Sequence, residues 1–239
     1  MSKLVATVLA AGKGTRMKSQ QPKVLHEVGG VPMVSHVLQT AKAAGADDAV
    51  VIVGFGGDKV AERLGSAYHY VEQAEQLGTG HALMLAQAAL QDADTVLVIC
   101  GDTPLLRAET LRELIATHTR QQAAATILTT TFADPTGYGR IIRDAAQNVR
   151  KIVEEKDASP AEKKVTEVNT GTYCFDARKL WPQLQRITND NAQGEYYLTD
   201  VIDLLVSAGE TVTAATCADS DETLGVNSRA QLAIHGDRK

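Results

Sequence analysis

Short apolar runs alternate with amphipathic ones through the first half of the chain, and this alternation limits the possible folds more than any other feature. Residues 5–9, 49–53, 68–71 and 95–99 read as short buried strands. Between and after them, residues 31–44 (ending at Gly45), 59–64, 80–90 and 109–122 carry helical periodicity. A strand joined to a parallel neighbour needs a crossover of roughly a dozen residues, usually helical, and such crossovers cover both faces of the sheet. The expected fold is therefore α/β, a Rossmann-like, mostly parallel mixed sheet flanked by helices.

After Ala123 the pattern changes. Residues 125–131 are rich in threonine and apolar side chains, as a strand should be. Residues 139–142 and 149–154 flank Asp144-Ala145-Ala146-Gln147-Asn148, which reads as a hairpin loop. Residues 156–164 read as a polar surface loop and 167–175 as a strand. Helices are expected at 178–184 and 197–208, and a last strand at 212–217. No repeat, linker or low-complexity tract interrupts the chain, which predicts one domain with two functional lobes, the smaller containing the β-hairpin.

The chain has 239 residues, enough to bury about 70–75% of the surface its unfolded form exposes, so neither disulfides nor a structural metal is needed. Its net charge of −5 argues against a general nucleic-acid or membrane binder. The N-terminus is a local exception, with Lys3, Lys13, Arg16, Lys18 and Lys23 and no acid before Glu27. Cys100, Cys174 and Cys217 each end an apolar run and show no metal-binding spacing, so they are expected as buried free thiols in a reducing cytosol. Neither a signal peptide nor a membrane span is expected, and the predicted location is cytoplasmic. The six histidines show no metal-like pairing and read as structural.

Gly12 and Gly14 follow the first strand directly, in LAAGKGTRM. Glycine there permits a sharp turn and lets amide N–H groups approach a phosphate, while Lys13, Arg16 and Lys23 supply countercharge. A ligand-free strand-to-helix turn is the alternative. The dinucleotide fingerprint fails because its third small residue falls at Met17 and the irregular stretch KSQQPK intervenes. The Walker pattern is absent. Downstream, Gln73 carries both donor and acceptor, as a reader of a base edge needs. Gly78 and Thr79 open a helix, by capping it or by seating a ligand. Asp102 closes the buried run TVLVIC, which puts a carboxylate where open α/β sheets bind ligands and makes it a natural Mg²⁺ ligand beside phosphates. Capping a turn at Thr103-Pro104 is its structural alternative.

The pattern L-A-A-G-x-G-T-R-M followed by P-K resembles the signature of the sugar nucleotidyltransferases. Within them, QAEQLGTGHA (73–82), GDTPLL (101–106), DPTGYGRI (134–141), NTG (169–171), NAQGEYYLTD (191–200) and GVN (225–227) are similar, in order, to the uridylyltransferase domain of bacterial N-acetylglucosamine-1-phosphate uridylyltransferases. The resemblance implies a nucleotidyltransferase domain over 1–227, with 228–239 starting a linker helix or tail. It places Leu9, Ala10, Ala11, Gly12, Lys23, Gln73, Gly78, Thr79, Cys100, Gly101 and Asp102 at the nucleotide. Gly139, Glu154, Asn169 and the segment at 191–200 fall around the sugar. It pairs Asp102 with Asn227 on Mg²⁺, although Asn227 also reads as a helix cap. Tyr196 and Tyr197 pack on the acetyl methyl or fill the core. Family members often have Tyr-Gly-Asp where this chain has Cys100-Gly101-Asp102, which removes a phenol from the site.

The implied reaction joins UTP to N-acetylglucosamine 1-phosphate, giving UDP-N-acetylglucosamine, a precursor for peptidoglycan and lipopolysaccharide, and pyrophosphate. Arg16, Lys23 and Asp102 are the expected catalytic residues, with Lys13 a weaker candidate. Relatives often continue into a left-handed β-helix that acetylates glucosamine 1-phosphate. No such hexapeptide repeat occurs here, so that activity and trimerisation through it are expected to be missing, and the sequence leaves the oligomeric state open. Competing readings are a related transferase using another sugar phosphate or CTP, a NAD-dependent oxidoreductase and a non-catalytic nucleotide-sugar sensor. Met17 and the lack of an acid closing the second strand argue against the oxidoreductase.

Overall fold

The computed structural model describes residues 2–226. In chain order the strands are β1 (Leu4–Ala10), β2 (Glu27–Val28), β3 (Val31–Pro32), β4 (Asp48–Val53), β5 (His69–Glu72), β6 (Thr95–Cys100), β7 (Ala125–Thr131), β8 (Arg140–Arg143), β9 (Val149–Val153), β10 (Glu167–Asp176) and β11 (Val212–Thr216). The helices are α1 (Met33–Ala43), α2 (Gly57–Leu64), α3 (Thr79–Ala86), α4 (Ala108–Gln121), α5 (Ala177–Leu184) and α6 (Asp200–Ser207).

The main sheet runs β11-β7-β10-β6-β1-β4-β5, with the β8–β9 hairpin hung from β10. Strands β6, β1, β4 and β5 are mutually parallel, as are β7 and β11, and β10 alone runs antiparallel between β6 and β7. The chain moves outward from β1 through β4 to β5, then returns to place β6 on the other side of β1. That reversal opens a crevice beyond the C-terminal ends of β1 and β6, the usual ligand position in open α/β sheets. Because β10 runs backwards, its beginning reaches the edge where its neighbours end.

Both faces of the sheet are dry, as parallel pairing requires. Along β6, Val96 and Val98 join the core under α3, α5 and α6, while Leu97 and Ile99 join the core under α1 and α4. The same alternation divides Val50 and Ile52 from Val51 and Val53 on β4. No helix among the described residues is long and apolar enough to cross a membrane.

Several boundaries differ from the sequence reading. The helix expected at 31–44 begins at Met33, because Val31–Pro32 pairs back on Glu27–Val28 and Pro32 occupies the N-cap. The helix expected at 80–90 is α-helical only to Ala86 and tightens into a 3₁₀ turn through Leu90. The helix expected at 197–208 starts at Asp200, since the backbone at Tyr196 is tied to α3 instead. Cys174 lies inside β10 rather than ending a strand. The three cysteines are free thiols, Cys174 and Cys217 buried and Cys100 partly so. The loop 144–148 is a hairpin turn as expected, with Asp144 Oδ1 accepting the amides of Ala146 and Asn148, each at 2.9 Å.

Leu97 is wholly buried at the sheet centre, whereas Leu85 on α3 is 41% exposed. Leu97→Ala should lower the free energy of unfolding by about 2–5 kcal/mol. Leu85→Ala should change it by under about 0.5 kcal/mol. Urea denaturation of both variants checks the assignment.

Candidate active site

The loop after β1 is built around its own basic residue. Gly14 sits in the left-handed region at φ 58°, and a Cβ on it would stand 2.6 Å from Lys23 Cβ. Glycine therefore lets the Lys23 stem lie directly against the loop. Met17, 1% exposed, anchors the 3₁₀ turn Thr15–Met17 beneath. A second 3₁₀ turn, Lys23–Leu25, buries Val24 and Leu25 and fixes where the lysine emerges.

From that position Lys23 Nζ forms an ion pair with Asp102 Oδ2. Both side chains are mostly buried, 12% and 21% exposed, and the pair spans the crevice between β1 and β6. The loop after β6 is tied down by Gly101 N donating to Leu9 O at 2.9 Å and by Thr103 Oγ1 donating to Cys100 O at 2.8 Å. Asp102 is thus a charged partner of the β1 loop, not a turn cap. Its carbonyl accepts from Val226 N at 2.9 Å, which brings the last described residue to the crevice. Asn227, the other expected metal ligand, lies outside the described residues, as does the expected boundary at 227–228. Lys13 and Arg16 are exposed on the loop surface.

Beside the loop, Leu9, Ala11, Gly12, Gln73, Gly78 and Thr79 line a cleft of about 190 Å³. Gln73 is 3% exposed, and its Nε2 donates to Gly78 O at 3.0 Å. Gly78 adopts φ 109° and its Cβ position is 2.5 Å from Tyr196 O, so no other residue fits without moving backbone. Tyr196 N donates to Leu77 O, and Gly80 N to Tyr196 O, each at 2.8 Å. Thr79 Oγ1 accepts from Leu198 N at 3.1 Å rather than capping its own helix. The segments 73–82 and 191–200 are therefore one wall. Tyr197 is the core residue of the tyrosine pair, its hydroxyl 3.2 Å from Asp157 Oδ2, and Tyr196 is only partly buried.

The hairpin lobe contributes Gly139 and Glu154, and only the absence of a side chain on Gly139 leaves space beside the carboxylate, since a Cβ there would be 3.4 Å from Glu154 Oε1. Thr199 Oγ1 donates to that same oxygen at 3.0 Å. Burial pushes the Glu154 carboxyl above the usual range, the Thr199 bond opposes this, and the charges of Asp200, Asp157 and Glu195 add to it. Asn169 sits at a bulge in β10, where its Oδ1 accepts from Gly171 N at 3.0 Å. The Cys100 thiol points at the same bulge, 3.6 Å from Gly171 O. Burial and the Asp102 charge push that thiol up to about 12, against the pull of Lys23. Burial raises the Tyr138 hydroxyl as well, and the Asp102 charge adds to it.

The structure thus gathers Lys23, Gly101 and Asp102 at the crevice, and Leu9, Ala11, Gly12, Gln73, Gly78 and Thr79 at the cleft. Gly139, Glu154 and Asn169 lie on the facing lobe. Ala10 is buried in the end of β1 and supports the loop through its backbone. Thr199 and His81 were not singled out for the site from sequence. Thr199 holds Glu154, and His81 Nδ1 lies 3.1 Å from Gln73 Nε2. Their signal was position within the 73–82 and 191–200 segments, but nothing in the residue types said what they touch.

Asp102 at the end of a strand, facing a basic loop, suits a hard cation, which takes only one or two protein oxygens when phosphates and water supply the rest. Among the described residues no cluster of three or more His, Cys, Asp or Glu is arranged to hold a metal unaided. Crevice, cleft and lobe lie together at the switch point of the sheet, the usual ligand position in open α/β proteins. The chain belongs to the MobA-like NTP transferase domain family, whose model matches residues 6–200. It is 54% identical over 97% of its length to the bifunctional protein GlmU of Brevibacillus brevis, and 53% identical over 98% to that of Heliobacterium modesticaldum. The alignments cover 50% and 51% of those proteins, so the chain spans about half the length of the curated relatives it matches. Among solved structures, UDP-glucose pyrophosphorylase complexed with UDP-glucose shares the fold at a TM-score of 0.82 and 16% identity, covering 100% of this chain and 98% of that one. A Bacillus anthracis protein described as a glucose-1-phosphate thymidylyltransferase, solved with sucrose, aligns at 0.77 and 23%, covering 98% and 94%.

Asp200, at the start of α6 behind Glu154, has its carboxyl raised to about 6 by burial first and then by Asp157 and Asp203. A raised acid stabilises the fold below its unfolded value near 4, and this contribution is lost as pH climbs through about 6. Asp200→Asn should therefore melt higher than the parent at pH 7, with the gap closing towards pH 4. Thermal melts across that range measure it, and a gap that widens at low pH contradicts the assignment.

Proposed function

We propose that this protein transfers the uridylyl group of UTP to N-acetyl-α-D-glucosamine 1-phosphate, giving UDP-N-acetylglucosamine and pyrophosphate. The observation that carries the reading is the joint between 73–82 and 191–200. Gly78 and Gly80 receive the backbone of Tyr196, so a base-sized cleft and the lobe bearing Glu154 share one wall. Those two segments also carry the most specific part of the resemblance to the uridylyltransferases, and the similarity to bifunctional GlmU proteins over nearly the whole chain supports it.

In this reading the sugar-phosphate oxygen attacks the α-phosphorus in line and pyrophosphate leaves. The nucleophile is already an anion, so the chain need supply no general base, only positioning and neutralisation of charge. Gln73 and the Gly78 backbone seat the uracil. The β1 loop, from Leu9 to Gly12, holds the triphosphate, and Lys23 turns from Asp102 towards the phosphates as they arrive. Arg16, exposed on the rim, and Lys13 add positive charge to the entrance. Glu154 and Asn169 offer acceptor and donor to the sugar hydroxyls and acetamido group, Thr199 and Gly171 holding each in orientation. Mg²⁺, held by Asp102 and by Asn227 one residue beyond Val226, would neutralise charge on the phosphates. The domain assignment of residues 1–227 and a cytoplasmic location belong to the same proposal.

Pyrophosphate release across a panel of UTP, CTP and dTTP against several sugar 1-phosphates tests it. UTP with N-acetylglucosamine 1-phosphate should give the highest kcat/KM, in a magnesium-dependent reaction. A different best pair would overturn the substrate assignment, and cofactor-dependent absorbance changes with no pyrophosphate would overturn the class. Lys23→Ala should lower kcat about 100-fold or more in a protein that remains folded by circular dichroism, the size seen when one charge-stabilising donor is lost. A fully active Lys23→Ala protein would remove that residue from the chemistry.

A further inference from the structure

A primary amide recognises a base edge only as well as its orientation is fixed, because turning it by 180° exchanges donor for acceptor. Two neighbours settle that orientation for Gln73. Gly78 O accepts only, so the group 3.0 Å from it must be the NH₂. His81 Nδ1, 3.1 Å from the same nitrogen, meets its second hydrogen when the imidazole is neutral and carries its own proton on Nε2. Both amide hydrogens are then used within the protein. Oε1 takes no hydrogen bond among the described residues and is not one of the buried atoms left without one, so it is open to the cleft that Gln73 lines with Gly78 and Thr79. Gln73 therefore offers the cleft an acceptor and no donor.

The His81 ring is itself held. It sits in the first turn of α3 and packs against Tyr196 with ring centroids 6.4 Å apart at 36°. The Tyr196 backbone is pinned by Leu77 and Gly80 on either side of that turn. Losing the imidazole acceptor would leave the amide one hydrogen bond to Gly78 O and free it to turn.

We infer that His81 is a specificity-positioning residue: it locks the Gln73 amide so that Oε1 accepts from the base, and thereby selects uracil over cytosine. Uracil presents an N3–H donor at the centre of its recognition edge. Cytosine presents a bare N3 lone pair at the same place, which meets Oε1 as one acceptor facing another. His81 touches neither base nor phosphate in this scheme and acts only through Gln73. The inference rests on the uridylyl-transfer reading above.

The test compares kcat/KM for UTP and CTP, with N-acetylglucosamine 1-phosphate, in the parent, His81→Phe and His81→Asn. Phenylalanine keeps a planar ring without an acceptor, while asparagine returns an acceptor at about the position of Nδ1. His81→Phe should lower the UTP-to-CTP ratio about tenfold or more and leave KM for the sugar phosphate unchanged, and His81→Asn should restore most of the ratio. An unchanged ratio in a well-folded His81→Phe protein overturns the inference while leaving uridylyl transfer intact. A parent that turns over no UTP overturns the functional reading instead. Long-range ¹H–¹⁵N NMR of the parent supplies a check that needs no variant. The Nε2–H tautomer of His81 supports the lock, and a proton on Nδ1 removes it.

Discussion

Parallel strand pairing is the constraint from which the rest of this structure follows. Parallel strands cannot be joined by tight turns, so the connections between β1, β4, β5 and β6 become crossovers that bury both faces of the sheet. The same rule gathers the strands' C-terminal ends on one edge, where backbone leaves the sheet and chemistry-bearing side chains can be exposed without breaking a ladder. Gly12, Gln73 and Asp102 meet there although they are far apart in sequence. The single antiparallel strand β10 serves this edge rather than opposing it, because reversing its direction brings Asn169 to the same place.

Glycine does a second kind of work at this edge. Around Gly14 and Gly78 the absent side chain is replaced by another part of the protein, the stem of Lys23 in one case and the carbonyl of Tyr196 in the other. The loops are thereby packed from within before any ligand arrives. Such packing fixes the loop backbone in advance, so that little of it needs rearranging when substrates bind.

Much of this was legible in the sequence, and for identifiable reasons. Strands and helices of the first half declared themselves through period, because residues on parallel strands are buried on both sides and read as unbroken apolar runs. Lys23 stood out as countercharge beside a glycine turn and Asp102 as a carboxylate following a buried strand, but nothing in the sequence paired the two. The start of α6 was misread because Tyr197 and Leu198 are apolar enough to extend a helical pattern, and only the distant glycines that hold the Tyr196 backbone show why they do not join it. His81 was passed over because a lone histidine on a helix carries no local mark of its partner. Its meaning depends on a glutamine eight residues earlier that reaches it through a turn. Long-range pairs of this kind leave no period in the chain.

Cys100 shows what burial does to a nucleophile placed beside substrates. Its thiol sits at the C-terminal end of β6, next to Asp102 and against the bulge at Gly171, in a position that exposure would make reactive. With burial and the Asp102 charge pushing its ionisation up to about 12, the thiol keeps its proton at neutral pH. Electrophiles that modify activated cysteines would find almost nothing to attack here. The sulfur is a space-filling group, and oxidants or alkylating agents that reach the cleft should pass it by.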